Sequence, residues 1–225
     1  MRSSQTKRVL ALFTLPIAAS ILLAACATPA DTSDDRGSSS SSNDEDEEDE
    51  EDSGPAAPER GEIAEPGTTV GVDEWLSYPF TGTDGQEAVV SARLLSVEPA
   101  TAEERAVLDE NFGDQIADYD IYLVRYEQEK ESGDPIEFDS DYSYFDVVDA
   151  DGERVQPISL IGWDACDTQS FDSEFDTAGG TLQQCAVGGV PTGDDAPAGL
   201  AYTGGYEDDN PYDYIDGEPL LFLKK

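Results

Sequence analysis

The segment Tyr206-Glu-Asp-Asp-Asn-Pro-Tyr-Asp-Tyr-Ile-Asp216 interleaves carboxylates with aromatic rings. Asp208, Asp209, Asn210, Asp213 and Asp216 offer the hard oxygen ligands that calcium takes in sets of about six to eight. Tyr206, Tyr212 and Tyr214 offer faces on which sugar rings could stack. The spacing matches no known calcium loop, and the plain alternative is an exposed acidic loop whose tyrosines pack onto a sheet edge. A second acidic set, Asp139, Asp141, Asp146, Asp149 and Asp151, lacks the late bidentate glutamate of the helix-loop-helix calcium motif. Asp149-Ala-Asp-Gly152 reads better as a hairpin turn. The chain has no histidine, which removes imidazole-activated nucleophiles, histidine-ligated zinc and the carboxylate-histidine iron triad. Paired-carboxylate glycoside hydrolysis survives formally, but with 51 acidic residues any named pair is arbitrary. Neither a glycine-rich phosphate loop nor a dinucleotide fingerprint is present. The expectation is a non-enzymatic protein with no catalytic residues and no cofactor other than a candidate calcium ion.

Cysteine is the other reactive residue type. Leu23-Ala24-Ala25-Cys26 closes a positive segment, Arg2, Lys7 and Arg8, and an uncharged run from Val9 to Ala25. That run of about 17 residues is at the short end for a spanning helix and is followed by small residues that suit a signal peptidase. The N-terminus resembles the bacterial lipoprotein signal, in which an aliphatic residue and two small ones precede the lipidated cysteine. The resemblance implies a signal peptide over residues 1–25 and a thioether-linked diacylglycerol on Cys26. Two acyl chains meet the two-signal requirement for lasting attachment, because one chain at ~0.8 kcal/mol per buried methylene binds only marginally. The expected address is the extracytoplasmic face of the cell membrane. Cys166 and Cys185 then remain, an even pair in an exported chain, and a disulfide between them is expected.

Removing residues 1–25 takes away three basic residues and no acidic one, so the formal charge falls from −39 to −42. With few and scattered basic groups left, nucleic acid and anionic headgroups are poor partners. Cations and basic surfaces are better ones, and dense acid also keeps a surface protein solvated. Residues 26–65 read as a disordered tether: Ser38 to Ser42 and the unbroken acidic run Asp44 to Asp52 offer nothing to bury.

Residues 66–225 are expected to form one domain. Thr69 to Val72, Ala88 to Val97, Ile121 to Gln128 and Tyr142 to Val148 read as strands. In Ile121 to Gln128 the period of two is explicit, with Tyr122, Val124 and Tyr126 on one face and Ile121, Leu123 and Arg125 on the other. That segment is expected to be central. Asp149 to Gly152 turns the chain into a hairpin with Glu153 to Val155, and Ile158 to Trp163, Thr181 to Val190, Gly199 to Thr203 and Pro219 to Leu223 complete about eight strands. Thr101-Ala-Glu-Glu104 is a capping box that starts one short helix between the second and third strands.

A lipobox, a low-complexity acidic tether and a single sandwich together resemble Gram-positive, particularly actinobacterial, lipoproteins with immunoglobulin-like domains of unknown function. The likeness lies in Gly67 to Val70, Tyr119 to Tyr126, Phe145 to Gly152 and Gly180 to Pro191, and departs at the helix near Thr101 and at the loop after Thr203. It implies an all-β immunoglobulin-like β-sandwich and an envelope address, and it carries over no catalytic residue. The functional expectation is a membrane-anchored, non-catalytic binding module for an envelope protein or polysaccharide. The alternative is a calcium- or glycan-dependent adhesion module.

Overall fold

The structure, a computed structural model, describes residues 58–205 and 209–224. The leader, Cys26 and most of the tether lie outside the described residues, as do Tyr206 and Asp208. The described chain is mostly β. Its strands are β1 (Thr69–Val70), β2 (Leu76–Thr81), β3 (Glu87–Pro99), β4 (Tyr119–Gly133), β5 (Phe145–Val148), β6 (Gln156–Ile158), β7 (Thr181–Pro191), β8 (Gly199–Tyr202) and β9 (Leu220–Leu223), with one α-helix, α1 (Ala102–Phe112). They form a five-stranded sheet of order β2-β3-β4-β7-β6 and a four-stranded sheet of order β1-β9-β8-β5. The pairings among these strands are antiparallel except β1 with β9.

The alternation in β4 explains how three layers arise from two sheets. Its Val124 and Tyr126 join Tyr78, Val90 and Leu94 of the same sheet and Phe145, Leu200 and Phe222 of the other in one buried cluster. Its Ile121 and Leu123 point the opposite way, into a second cluster with Leu108 of α1, Ile116, Ile158, Trp163, Cys166 and Cys185. Each side of a pleated strand needs its own cover, and α1 with the segment before the disulfide supplies it. The bridge Cys166–Cys185 is present, with Cα atoms 5.1 Å apart.

Local chemistry accounts for the element ends. Thr101 accepts from the Glu104 N–H at 3.2 Å while Glu104 Oε2 accepts from the Thr101 N–H at 2.7 Å, the reciprocal capping box that the sequence announces. Gly133 ends β4 at φ 100°, where an added Cβ would meet Glu87 O at 2.3 Å, so a side chain cannot replace it. In β3 the register passes from Leu94↔Tyr126 to Ser96↔Arg125. Leu95 is therefore the extra residue of a bulge, which is how two adjacent leucines fit a strand of period two.

Four expectations need correction. β2 was not expected: its Pro79 interrupts the strand pattern, and it is tolerated because β2 lies at the sheet edge. Tyr142 to Tyr144 forms a 3-10 turn, so only Phe145 onward is strand. Beyond Ile158 the stretch to Trp163 is loop, exposing Ile161 at 97 % while Trp163 turns into the second core. The turn at Asp149 exists, with Gly152 N–H donating to Asp149 O at 3.2 Å, but it closes a single bridge, Val148↔Arg154, before β6 crosses to the other sheet.

The folded unit also begins earlier than residue 66. Ala64 is buried and its N–H donates to Ser77 O at 2.8 Å. Arg60 ion-pairs with Glu129 and Glu131, and its guanidinium lies 4.1 Å over the Trp75 ring, which Arg93 approaches at 4.8 Å. Cation-π contact and paired carboxylates on β4 pin this segment to the sheet.

Candidate functional site: the loop end of the two sheets

Strand registers bring four loops to one end. Phe145 pairs with Tyr202 and Tyr202 with Leu220, so loops 134–144 and 203–219 leave the four-stranded sheet side by side. In the other sheet Thr81 pairs with Glu87, Ala88 with Gly133, and Glu129 with Thr181, which places turn 82–86 and loop 167–180 at the same end. A contact between the sheets and one between sheet and loop close it: Tyr202 Oη donates to Pro79 O at 3.1 Å, and Phe80 of β2 meets Phe171 of loop 167–180 edge-on at 5.4 Å.

The Tyr/Asp loop is organised from within. Asn210 Nδ2 donates to Thr203 O at 2.6 Å and Gly205 O at 2.8 Å, while its Oδ1 accepts from the Tyr212 N–H at 2.9 Å. Asn210 therefore acts as a clamp at the loop base. Asp213 Oδ1 accepts from the N–H groups of Asp216, Ile215 and Gly217. Those amides, Asp216 and Ile215 foremost, hold its carboxyl below the usual carboxylate range. Asp213 shapes a turn, and Asp209 and Asp216 are exposed. Among the described residues no group of three or more acidic side chains converges to hold a metal ion.

The tyrosines divide. Tyr212, read from sequence as a stacking face, is 4 % exposed; its ring lies 5.6 Å from Tyr202 and its hydroxyl donates to Ala64 O at 3.0 Å. It belongs to the core, and burial pushes its phenol up. Tyr214 is half-exposed, and Arg154, held by Asp146 at 2.8 Å, lies 5.5 Å from its ring. Burial first, then the Asp146 charge, raises its phenol. Tyr214, Ile215, Asn210, Thr203 and Tyr144 line an open cleft of about 290 Å³.

The second acidic set is dispersed. Asp149 Oδ1 accepts from the Asp151 and Glu153 N–H groups at 2.9 Å each, Asp146 holds Arg154, and Asp139 Oδ1 accepts from the Thr83 N–H at 3.0 Å and hydroxyl at 2.7 Å. Asp141 alone goes inside. At 0 % exposure it accepts from the Tyr78 hydroxyl at 2.6 Å and from Gln128 Nε2 at 2.9 Å. Burial raises its pKa from 3.8 to about 6 against the lowering effect of those bonds. Nothing in a chain this acidic marks Asp141 out; the nearest signal is its place just before the aromatic run Tyr142 to Phe145.

Sequence reasoning also missed Phe138, which sits at the tip of loop 134–144. It is 81 % exposed and held at φ 74°, a left-handed conformation that bulky residues rarely adopt. Its N–H donates to Phe171 O at 2.8 Å. No family model, no curated protein and no solved structure matches this chain.

Proposed function

We propose that the protein is a lipid-anchored, extracytoplasmic binding module that carries no active site and engages an envelope partner through its loop end. The anchor rests on Leu23-Ala-Ala-Cys26 after a basic and apolar leader. An immunoglobulin-like fold is supported by strand order: β3-β4-β7-β6 follows the A-B-E-D order, and β9-β8-β5 the G-F-C order, of a constant-type domain. On that correspondence loops 134–144 and 203–219 are the B–C and F–G loops, two of the three that carry recognition in variable domains. Fold alone supplies no ligand.

The observation that carries the reading is the surface of this end. Phe138, Tyr142, Tyr214 and Ile215 are exposed at 81 %, 39 %, 36 % and 89 %, while residues 82–86, 134–144, 167–180 and 203–219 contain many carboxylates and no Lys or Arg. Exposed apolar side chains among carboxylate-rich loops, where the one neighbouring cation, Arg154 beside Tyr214, is already paired with Asp146, suit a protein surface that presents basic groups around an apolar contact. Nucleic acid and anionic lipid are disfavoured by the same charge. A calcium- or glycan-dependent adhesion module is the second reading, favoured by the cleft of Tyr144, Tyr214, Thr203 and Asn210.

The test is a sedimentation assay with the Cys26→Ser chain and isolated cell envelopes. Retention that is abolished by Phe138→Ser with Ile215→Ser, and by protease treatment of the envelopes, is the expected result. Retention that survives protease and is lost on chelation or glycan digestion selects the adhesion reading. Retention indifferent to both substitutions removes the loop end as the binding surface.

A further inference from the structure

Asp141 is a carboxylate sealed between two sheets with no cation facing it among the described residues. β2 presents Tyr78, β4 presents Tyr126 and Gln128, β5 presents Phe145, and β8 presents Tyr202, whose ring stacks on Tyr78 at 4.0 Å. All are neutral side chains. Lys130, further along β4, is committed to Asp176 at 2.7 Å, and Asp139 on the same loop is committed to Thr83. An ion without a counter-ion in such a place is costly, and its hydrogen bonds offset that cost only in part. The network is also unbalanced: Gln128 Oε1 and the Tyr126 hydroxyl are buried with no hydrogen-bond partner. A proton on Asp141 cancels the charge and makes one carboxyl oxygen a donor, which the Tyr78 oxygen 2.6 Å away can accept.

The position of Asp141 connects this network to the loop end. It closes loop 134–144, three residues after the exposed Phe138, and its backbone oxygen accepts from the Tyr144 N–H at 2.8 Å to start the 3-10 turn that leads into β5. Its side chain is the loop's bond to β2 and β4. We infer that Asp141, Tyr78, Gln128 and Tyr126 form a buried proton-binding site that sets how firmly loop 134–144 is held, closed when Asp141 is neutral and loosened when it ionises. The inference stands whatever the loop end binds.

The sign follows from linkage. The closed-state pKa, about 6, lies above the ordinary 3.8 of an open, hydrated loop, so protonation favours closure; the advantage is full below about pH 4 and is lost as pH rises through about 6. From those two values the opening equilibrium should grow on the order of fifty-fold between pH 4 and pH 8.

The full chain labelled with ¹³Cγ-aspartate supplies the test, with amide exchange of residues 136–144 corrected for intrinsic pH effects. One carboxyl signal should titrate near pH 6 and be missing from Asp141→Asn. Loop opening should rise with pH in the native chain and stay level in the variant. The native-chain titration is decisive by itself if the variant fails to fold. An Asp141 signal titrating in the ordinary carboxylate range near 4, or a pH-dependent loop opening that persists in Asp141→Asn, overturns the inference.

Discussion

Opening the Cys166–Cys185 bridge should cost this domain about 3 kcal/mol. The two cysteines are 19 positions apart, and the chain-entropy relation for a loop of about 20 residues gives roughly 11 cal/mol/K, or about 3 kcal/mol at 25 °C. Packing adds to this, since Cys166 and Cys185 are 6 % and 4 % exposed within the second core beside Trp163, Leu108 and Leu123. For a domain of this size such a loss lowers Tm by roughly 6 to 12 °C. The assay is a circular dichroism melt of the oxidised protein, the reduced protein and the Cys166→Ala/Cys185→Ala variant. The reduced form keeps both sulfur atoms in place, so its deficit reports the cross-link; the further deficit of the double variant reports the lost volume. Amide exchange should place the extra opening in α1 and residues 159–166, which cover the outer side of β4, before the core between the sheets. A reduced protein that melts within about 2 °C of the oxidised one would refute the reasoning, because the loop entropy would then be absent from the unfolded state.

Thr101→Ala removes the side-chain acceptor of the capping box and should lower stability by about 1 kcal/mol in urea denaturation, with the slope unchanged. At Asp176 burial alone would raise the carboxyl, but Lys130 and the Ile136 and Glu137 amides outweigh it and hold it below the usual range. Its contribution is therefore present at neutral pH and lost on acidification, opposite in sign to Asp141, and Asp176→Asn should flatten the acid limb of a stability-pH profile. Asn210→Ala unties the carbonyls of Thr203 and Gly205 and should make loop 203–219 the first site cut in limited proteolysis while the melt stays cooperative. Millimolar calcium should leave Tm unchanged, since Asp213 already serves three backbone amides; a saturable rise lost in Asp213→Asn and Asp216→Asn would favour the calcium-dependent reading instead.

Much of the scaffold was legible because its signals are local. The period of two in Ile121 to Gln128 and the capping box at Thr101 each state a physical requirement within a few residues, and Cys166 and Cys185, 19 positions apart, are the two cysteines left beside Cys26. What escaped depends on contacts far apart in sequence. Leu76, Tyr78 and Phe80 do alternate as a strand requires, but Pro79 argues against one until the edge position is known; the Ser77 hydroxyl is accommodated by a buried contact with Ser91 at 2.7 Å. The stretch from Ile158 to Trp163 reads as a strand because it is apolar, whereas its task is to cover a second core that no single segment reveals. At the loop end, the residues with evident chemistry, Tyr212 and Asp213, turned out to hold the loop together. Phe138, whose exposure and backbone conformation set it apart, looks in sequence like any core phenylalanine.

The most direct test of the account is a photo-crosslinking amino acid placed at Phe138 or Ile215 of the full chain in intact cells, with Asp194 at the opposite end as reference. One discrete adduct is expected from 138 and from 215, and none from 194. Adducts formed equally from 194, or no adduct from 138 and 215, would contradict a binding surface at the loop end.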